Sequence, residues 1–136
     1  MADSDRAKSV VQEPIQPALQ VVKAGSGRVL PMVAGQGSAL AIVWPGMGAQ
    51  HRTLHRFDLG PWAKTVAQQH AGEAVYVVLE GEPTITDLGD GAVQRLTVGA
   101  MVHLDPGTRY SFRAGEAGAV ILGGPCPPDP SLYLTD

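Results

Sequence analysis

Four side chains in this sequence have the chemistry for proton transfer at an uncharged site: His70, Tyr110, Gln68 and His55. Burial disfavours the charged form of an imidazole, so a buried His70 is expected to be neutral and suited to act as a general base near pH 7. A phenol such as Tyr110, with an ordinary pKa near ~10, stays protonated and can donate a hydrogen bond to a carbonyl or enolate oxygen. The amide of Gln68 can fix orientation without adding charge. His55 offers a second imidazole.

Strands must hold these groups in place. His70 stands just before the run Ala74-Val75-Tyr76-Val77-Val78-Leu79, which is β-branched and aromatic and bounded by Gly72 and by Glu80-Gly81-Glu82-Pro83. That pattern predicts a central strand between turns, and a histidine just before such a strand can point into the cavity it lines. Tyr110 opens a later short strand, after the turn Asp105-Pro106-Gly107. In Gln50–Leu59, alternation puts His51, Thr53, His55, Phe57 and Leu59 on one face and Arg52, Leu54, Arg56 and Asp58 on the other. The first set ends in Phe and Leu and is the better candidate for the interior, which would aim His55, and with it His51, at the cavity of His70. Phe57 and Tyr76 are expected to line that cavity as substrate-binding residues, with Tyr76 read first as a core residue. His51 and His103 read as structural. Arg109 and Arg113 alternate with Tyr110 and are expected to face solvent.

The remainder of the chain limits the choice of architecture. Its 136 residues suit one domain. Seventeen glycines and eleven prolines fall between short apolar runs, as expected for many strands joined by many turns. Strands are expected at Leu19–Lys23, Arg28–Val33, Ala39–Trp44, Pro83–Leu88, Ala92–Val98, Met101–Leu104, Tyr110–Arg113 and Ala117–Leu122, with a hairpin at Gly89-Asp90-Gly91. With the two strands already described, this makes about ten antiparallel strands and no helix of any length. Residues 1–17 read as a flexible N-terminal tail, residues 18–136 as a single β-barrel domain, and Gly123–Asp136, with its four prolines, as a strap. A net charge of −3 argues against nucleic acid, and no apolar run is long enough for a membrane span or a signal peptide. The one cysteine, Cys126, allows no internal disulfide. A cytoplasmic protein is expected.

The stretches HAGEAVYVVLEGE and DPGTRYSF resemble the two halves of the cupin signature, G-x5-H-x-H-x3-4-E-x6-G and G-x5-P-x-G-x2-H-x3-N, and the resemblance covers roughly residues 40 to 124. Placing Gly81 on the closing glycine puts Gln68 and His70 on the family's two histidines, Ala74 on its glutamate and Tyr110 on its third histidine. The resemblance implies an all-β, antiparallel jelly-roll barrel. It also implies that His70, Gln68 and Tyr110 converge inside that barrel although they lie far apart in sequence. Family members with the full signature hold Fe, Mn, Ni or Zn. Here three of the four ligand positions are changed, so a divalent metal, if bound, would rest on His70, Gln68 and a rescuing His55.

The resulting expectation is a small-molecule enzyme with His70 and Tyr110 catalytic and with Gln68, His55, Phe57 and Tyr76 binding the substrate. Isomerisation, dehydration, cyclisation or decarboxylation would suit one base and one phenol. The resemblance adds a tailoring step of secondary metabolism as the setting. Two alternatives stay open: a non-catalytic module that binds or senses a small ligand, and a metal-dependent dioxygenase or lyase with a remodelled ligand set. A homodimer is expected, with an N-terminal strand packed on the partner.

Overall fold

Alternating side chains and turns marked by glycine or proline give twelve strands in the computed structural model, which describes residues 18–134. In chain order these are β1 (Arg28–Leu30), β2 (Val33–Ala34), β3 (Gly37–Val43), β4 (Leu54–Leu59), β5 (Lys64–Thr65) and β6 (Gln68–Gln69). They continue with β7 (Glu73–Gly81), β8 (Thr84–Asp87), β9 (Val93–Arg95), β10 (Met101–Leu104), β11 (Arg109–Arg113) and β12 (Ala119–Cys126). One sheet runs β1-β3-β4-β12-β7-β10; the other runs β2-β5-β11-β8-β9, with β6 attached to β11. Every pairing between these strands is antiparallel. The architecture is the jelly-roll barrel. Among the described residues no helix is long and apolar enough to cross a membrane.

Several boundaries differ from the sequence expectation for identifiable reasons. Leu19–Lys23 is not a strand, and its Leu19 and Val21 are exposed; an extended run needs a partner, and it pairs with none of the named strands. The run Arg28–Val33 breaks at Pro31, which sends β1 to one sheet and β2 to the other. Beyond Leu122 the expected strap is still strand as far as Cys126. Pro125 is tolerated there because β4 pairs with β12 only as far as Gly123, so that edge of β12 lacks a neighbour where the proline lacks its N–H. The expected tail, with Val10 and Val11, lies outside the described residues.

Period-2 alternation builds the interior. Along β7, Ala74, Tyr76 and Val78 are buried while Val75 and Leu79 are exposed. Phe57, Tyr76, Tyr110 and Phe112 form a buried aromatic cluster with ring centroids 4.9–6.3 Å apart and mostly edge-to-face contacts. Burying each such side chain is worth about 1.5–3 kcal/mol.

Small neighbours make the room for these rings. Ala39 and Ala41 on β3 lie directly opposite Phe57 and His55 on β4. On the other flank, Gly123 of β12 faces both His55 and Tyr76. Its φ is +155°, and a Cβ there would lie 2.1 Å from the Val75 carbonyl oxygen and 2.6 Å from the Tyr76 ring. Only glycine lets this strand pass so close to Tyr76.

Candidate functional site

The polar groups of the interior come from five separate segments. β4 turns His55 and Phe57 inward, with Thr53 just ahead of them. His51 does not join them: the strand begins at Leu54, and His51 is exposed in the preceding loop. The short β6 turns Gln68 inward, and His70 follows it; they are 4 % and 5 % exposed. β11 pairs Tyr110 directly across from Gln68 and sends Phe112 inward too, while Arg109 and Arg113 face solvent. β7 contributes Tyr76. The fifth segment is the strap after β12, whose 3-10 turn Pro130–Tyr133 brings Asp129 and Tyr133 over the barrel mouth.

Hydrogen bonds join five of these groups in an unbroken run. Asp129 Oδ2 lies 2.7 Å from His70 Nδ1, and His70 Nε2 lies 3.2 Å from Gln68 Oε1. The Tyr76 hydroxyl donates to the same Gln68 oxygen at 3.3 Å and lies 2.6 Å from the Tyr110 hydroxyl. The Tyr76 hydroxyl donates to the amide oxygen, so Tyr110 must donate to Tyr76. Burial pushes the Asp129 carboxyl up, but hydrogen bonds from His70 and Ser131 outweigh that and hold it below the usual carboxylate range. An ionised carboxylate accepts, so His70 Nδ1 donates to it. His70 is expected from the sequence to act as a general base, and the fold engages both of its nitrogens.

The other groups are held differently. Burial, reinforced by the nearby His70, lowers the pKa of His55 to about 4, so this imidazole is neutral. Its Nε2 lies 2.7 Å from the Tyr133 hydroxyl, and its Nδ1 has no partner among the described residues. Gln68 Nε2 is likewise buried without a partner. Burial raises the phenols of Tyr76 and Tyr110, so both remain protonated. Outside this run, His103 is exposed and paired with Glu73 at 3.1 Å.

Sequence reasoning placed His55, Phe57, Gln68, His70, Tyr76 and Tyr110 in one interior, and they are there. Phe57 is wholly buried in the aromatic cluster and reaches no open space. Asp129 and Tyr133 were missed. The one available signal was that the proline-rich C-terminus carries Asp and Tyr four residues apart. A cleft of about 320 Å³ opens beside the run, lined by Met32, Gln68, His70, Asp129, Ser131 and Leu132 among others.

Comparisons with known proteins agree with this architecture. The cupin-domain family profile matches residues 55–122, half of the chain. No curated protein matches the sequence. Among solved structures, an RmlC-like cupin from Shewanella frigidimarina shares 15 % identity over 83 % of this chain and 95 % of its own, with a TM-score of 0.65. A predicted oxalate decarboxylase from Thermotoga maritima shares 18 % over 79 % and 97 %, with a TM-score of 0.63. KdgF from Halomonas sp. shares 12 % over 84 % and 92 %, with a TM-score of 0.59. At such identities the likeness shows the fold.

The donors present do not compose the metal centre that the cupin signature implies. Ala74 supplies no ligand, and the Tyr110 phenol is protonated and bonded to Tyr76. Gln68 Oε1 and both nitrogens of His70 are already engaged, and His55 Nε2 lies against Tyr133. Among the described residues no group of three or more His, Cys, Asp or Glu is placed to hold an ion.

Proposed function

This chain belongs to the cupin family, and we propose that it is an enzyme performing acid–base chemistry on a small organic molecule bound at the barrel mouth. The observation that carries this reading is the hydrogen-bonded run Asp129–His70–Gln68–Tyr76–Tyr110 inside an otherwise apolar barrel. Burying so many polar groups costs free energy that packing alone would not require, and three buried polar atoms among the described residues, Thr53 Oγ1, His55 Nδ1 and Gln68 Nε2, remain unbonded.

In this reading His70 exchanges a proton with a substrate oxygen at Nδ1, the nitrogen on the Asp129 side, while Gln68 holds the ring from behind through Nε2. Gln68 Nε2, buried without a partner among the described residues, supplies a hydrogen bond to an oxyanion that develops in the transition state, and Tyr76 and Tyr110, kept protonated by burial, hold the Gln68 amide in place. His55, neutral and uncharged, helps seat the substrate. Isomerisation, dehydration, cyclisation and decarboxylation all need a proton moved and an oxyanion held. The description of one structural neighbour as a predicted oxalate decarboxylase favours the lyase end of that range.

A second reading, a module that binds a small ligand without turning it over, is favoured by the strap, which lies across the mouth in the closed arrangement. One experiment separates them. Panels of small oxo acids and hydroxy acids are incubated with the protein in D2O, and deuterium incorporation at carbon is followed by NMR. Incorporation that is lost in His70→Ala supports the enzyme. Ligands that bind and never exchange, with His70→Ala lowering only affinity, support the binding module.

A further inference from the structure

The strap closes the barrel with two side chains, each seated on a barrel histidine. Asp129 Oδ2 is 2.7 Å from His70 Nδ1, and the Tyr133 hydroxyl is 2.7 Å from His55 Nε2. The Tyr133 ring rests in an aromatic slot, tilted against Trp44 at 5.0 Å and edge-on to His55 at 5.8 Å. Asp129 is the N-cap of the 3-10 turn, and its other oxygen accepts from the backbone N–H and the hydroxyl of Ser131. That turn makes the carboxylate and the phenol one preformed piece.

The piece is lightly held and fits incompletely. β12 ends at Cys126, so no strand pairing anchors the residues after it. Beneath the strap, His55 Nδ1 and Gln68 Nε2 are left without partners, although their side chains are almost completely buried. Unsatisfied polar atoms in such a setting cost free energy. The Asp129 carboxylate brings only one oxygen to His70 because Ser131 holds the other. A free carboxylate would bring two.

A carboxylate on one imidazole, joined to a ring hydroxyl on another imidazole within an aromatic slot, describes a small molecule as well as it describes the strap. We infer that the barrel mouth binds a small aromatic carboxylic acid bearing a ring hydroxyl, and that Asp129 and Tyr133 occupy its place until it displaces them. This names the ligand class of the site proposed above and so rests on that reading. The ligand carboxylate takes the position of Asp129 at His70 and offers its second oxygen to Gln68 Nε2. The ligand ring takes the slot of Tyr133, and its hydroxyl meets His55. The cleft of about 320 Å³ beside Asp129 and Leu132 is the way in.

The test uses 3-(4-hydroxyphenyl)propanoate as the probe, with 3-phenylpropanoate and 4-ethylphenol as comparators that each lack one polar group. Binding is measured by calorimetry. Strap release is followed through Trp44 fluorescence in a Trp62→Phe background, since Trp62 is exposed and would mask the signal. A ligand that competes with the strap must bind more tightly when the strap is weakened, because the closed state reduces the competent fraction. The Asp129→Ala/Tyr133→Phe variant is therefore expected to bind the probe about tenfold more tightly than wild type. Tyr133→Phe alone, which keeps the ring, should shift affinity the same way by less and guards against misfolding of the double variant. Saturating wild type with the probe should shift Trp44 emission away from that of the unliganded wild type, and each comparator should bind more weakly than the probe.

An affinity that is unchanged or lower in both strap variants overturns the inference, as does a probe that binds no protein or comparators that bind equally well. Failure here is distinct from failure of the acid–base reading. Deuterium exchange into other acids with no probe binding would leave the enzyme and remove this ligand class. Probe binding tightened by the strap variants, with no exchange into any acid, would do the reverse.

Discussion

The hydroxyls of Tyr76 and Tyr110, thirty-four positions apart in the chain, meet 2.6 Å apart in the middle of the barrel. Tyr76 donates its own hydrogen bond to Gln68, so Tyr110 must be the donor of the pair. The Tyr110 donor is thus satisfied through Tyr76, while Tyr76 has Gln68 as a second partner.

Removing the Tyr76 hydroxyl strands the Tyr110 donor, and removing the Tyr110 hydroxyl takes from Tyr76 one of its two partners. Tyr110→Phe and Tyr76→Phe are each expected to cost about 1–2 kcal/mol of stability in urea unfolding. The double variant should lose less than the sum, because both singles break the same bond. In the deuterium-exchange assay Tyr110→Phe should cost roughly 1–3 kcal/mol in barrier, mostly in kcat, and less than His70→Ala. Strictly additive stability losses would show that the two phenols do not act as a unit.

Acid should weaken the fold through the buried imidazole of His55. The folded-state pKa of His55 is lowered to about 4 from an ordinary 6.5, first by burial and then by His70. Between those values the unfolded chain binds a proton that the folded chain refuses, so stability falls as pH drops from about 6.5 to 4. The loss is at most roughly 3 kcal/mol. Asp129, also depressed, adds its loss only at lower pH, where its carboxyl is protonated in the folded state. Urea midpoints measured from pH 7.5 to 4.5 should decline for wild type and be much flatter for His55→Gln. Parallel declines in the two proteins would locate the effect elsewhere.

Protein purified without chelator is expected to carry Fe, Mn, Ni and Zn well below one equivalent, since the inward donors are a protonated phenol, an amide, a His70 engaged at both nitrogens and a His55 whose Nδ1 alone is open. Elemental analysis by mass spectrometry checks this. One equivalent of a single metal, lost in His70→Ala, would point instead to the metal-dependent reading.

We propose a homodimer through the outer face of the larger sheet. Val75, Met101 and Leu54 are exposed there and share a groove of about 610 Å³ with Val77 and Leu122, a larger contiguous apolar surface than single exposed residues make. Arg52 and Glu73 border the same groove and give a second copy related by a two-fold axis opposite charges to meet. Light scattering at micromolar concentration should give the mass of two chains, and Val75→Glu with Met101→Glu should give one. A monomeric wild type would exclude this interface.

Much of the fold was legible because local rules decide it. Period-2 alternation turned His55 and Phe57 inward on β4 and Tyr76 inward on β7, and Gly89-Asp90-Gly91 made the β8–β9 hairpin, all from neighbours in the chain. The spacing of the signature was enough to bring Gln68, His70 and Tyr110 together. Only the tertiary structure decided what those groups touch. Asp129 reaches His70 across fifty-nine positions and Tyr133 reaches His55 across seventy-eight, from a segment whose prolines signalled nothing beyond an irregular path. Periodicity states which way a side chain faces within its own strand. Which distant chain closes over it depends on how the sheets curve and where the strap crosses the mouth, and those are properties of the closed barrel, not of any local run of residues.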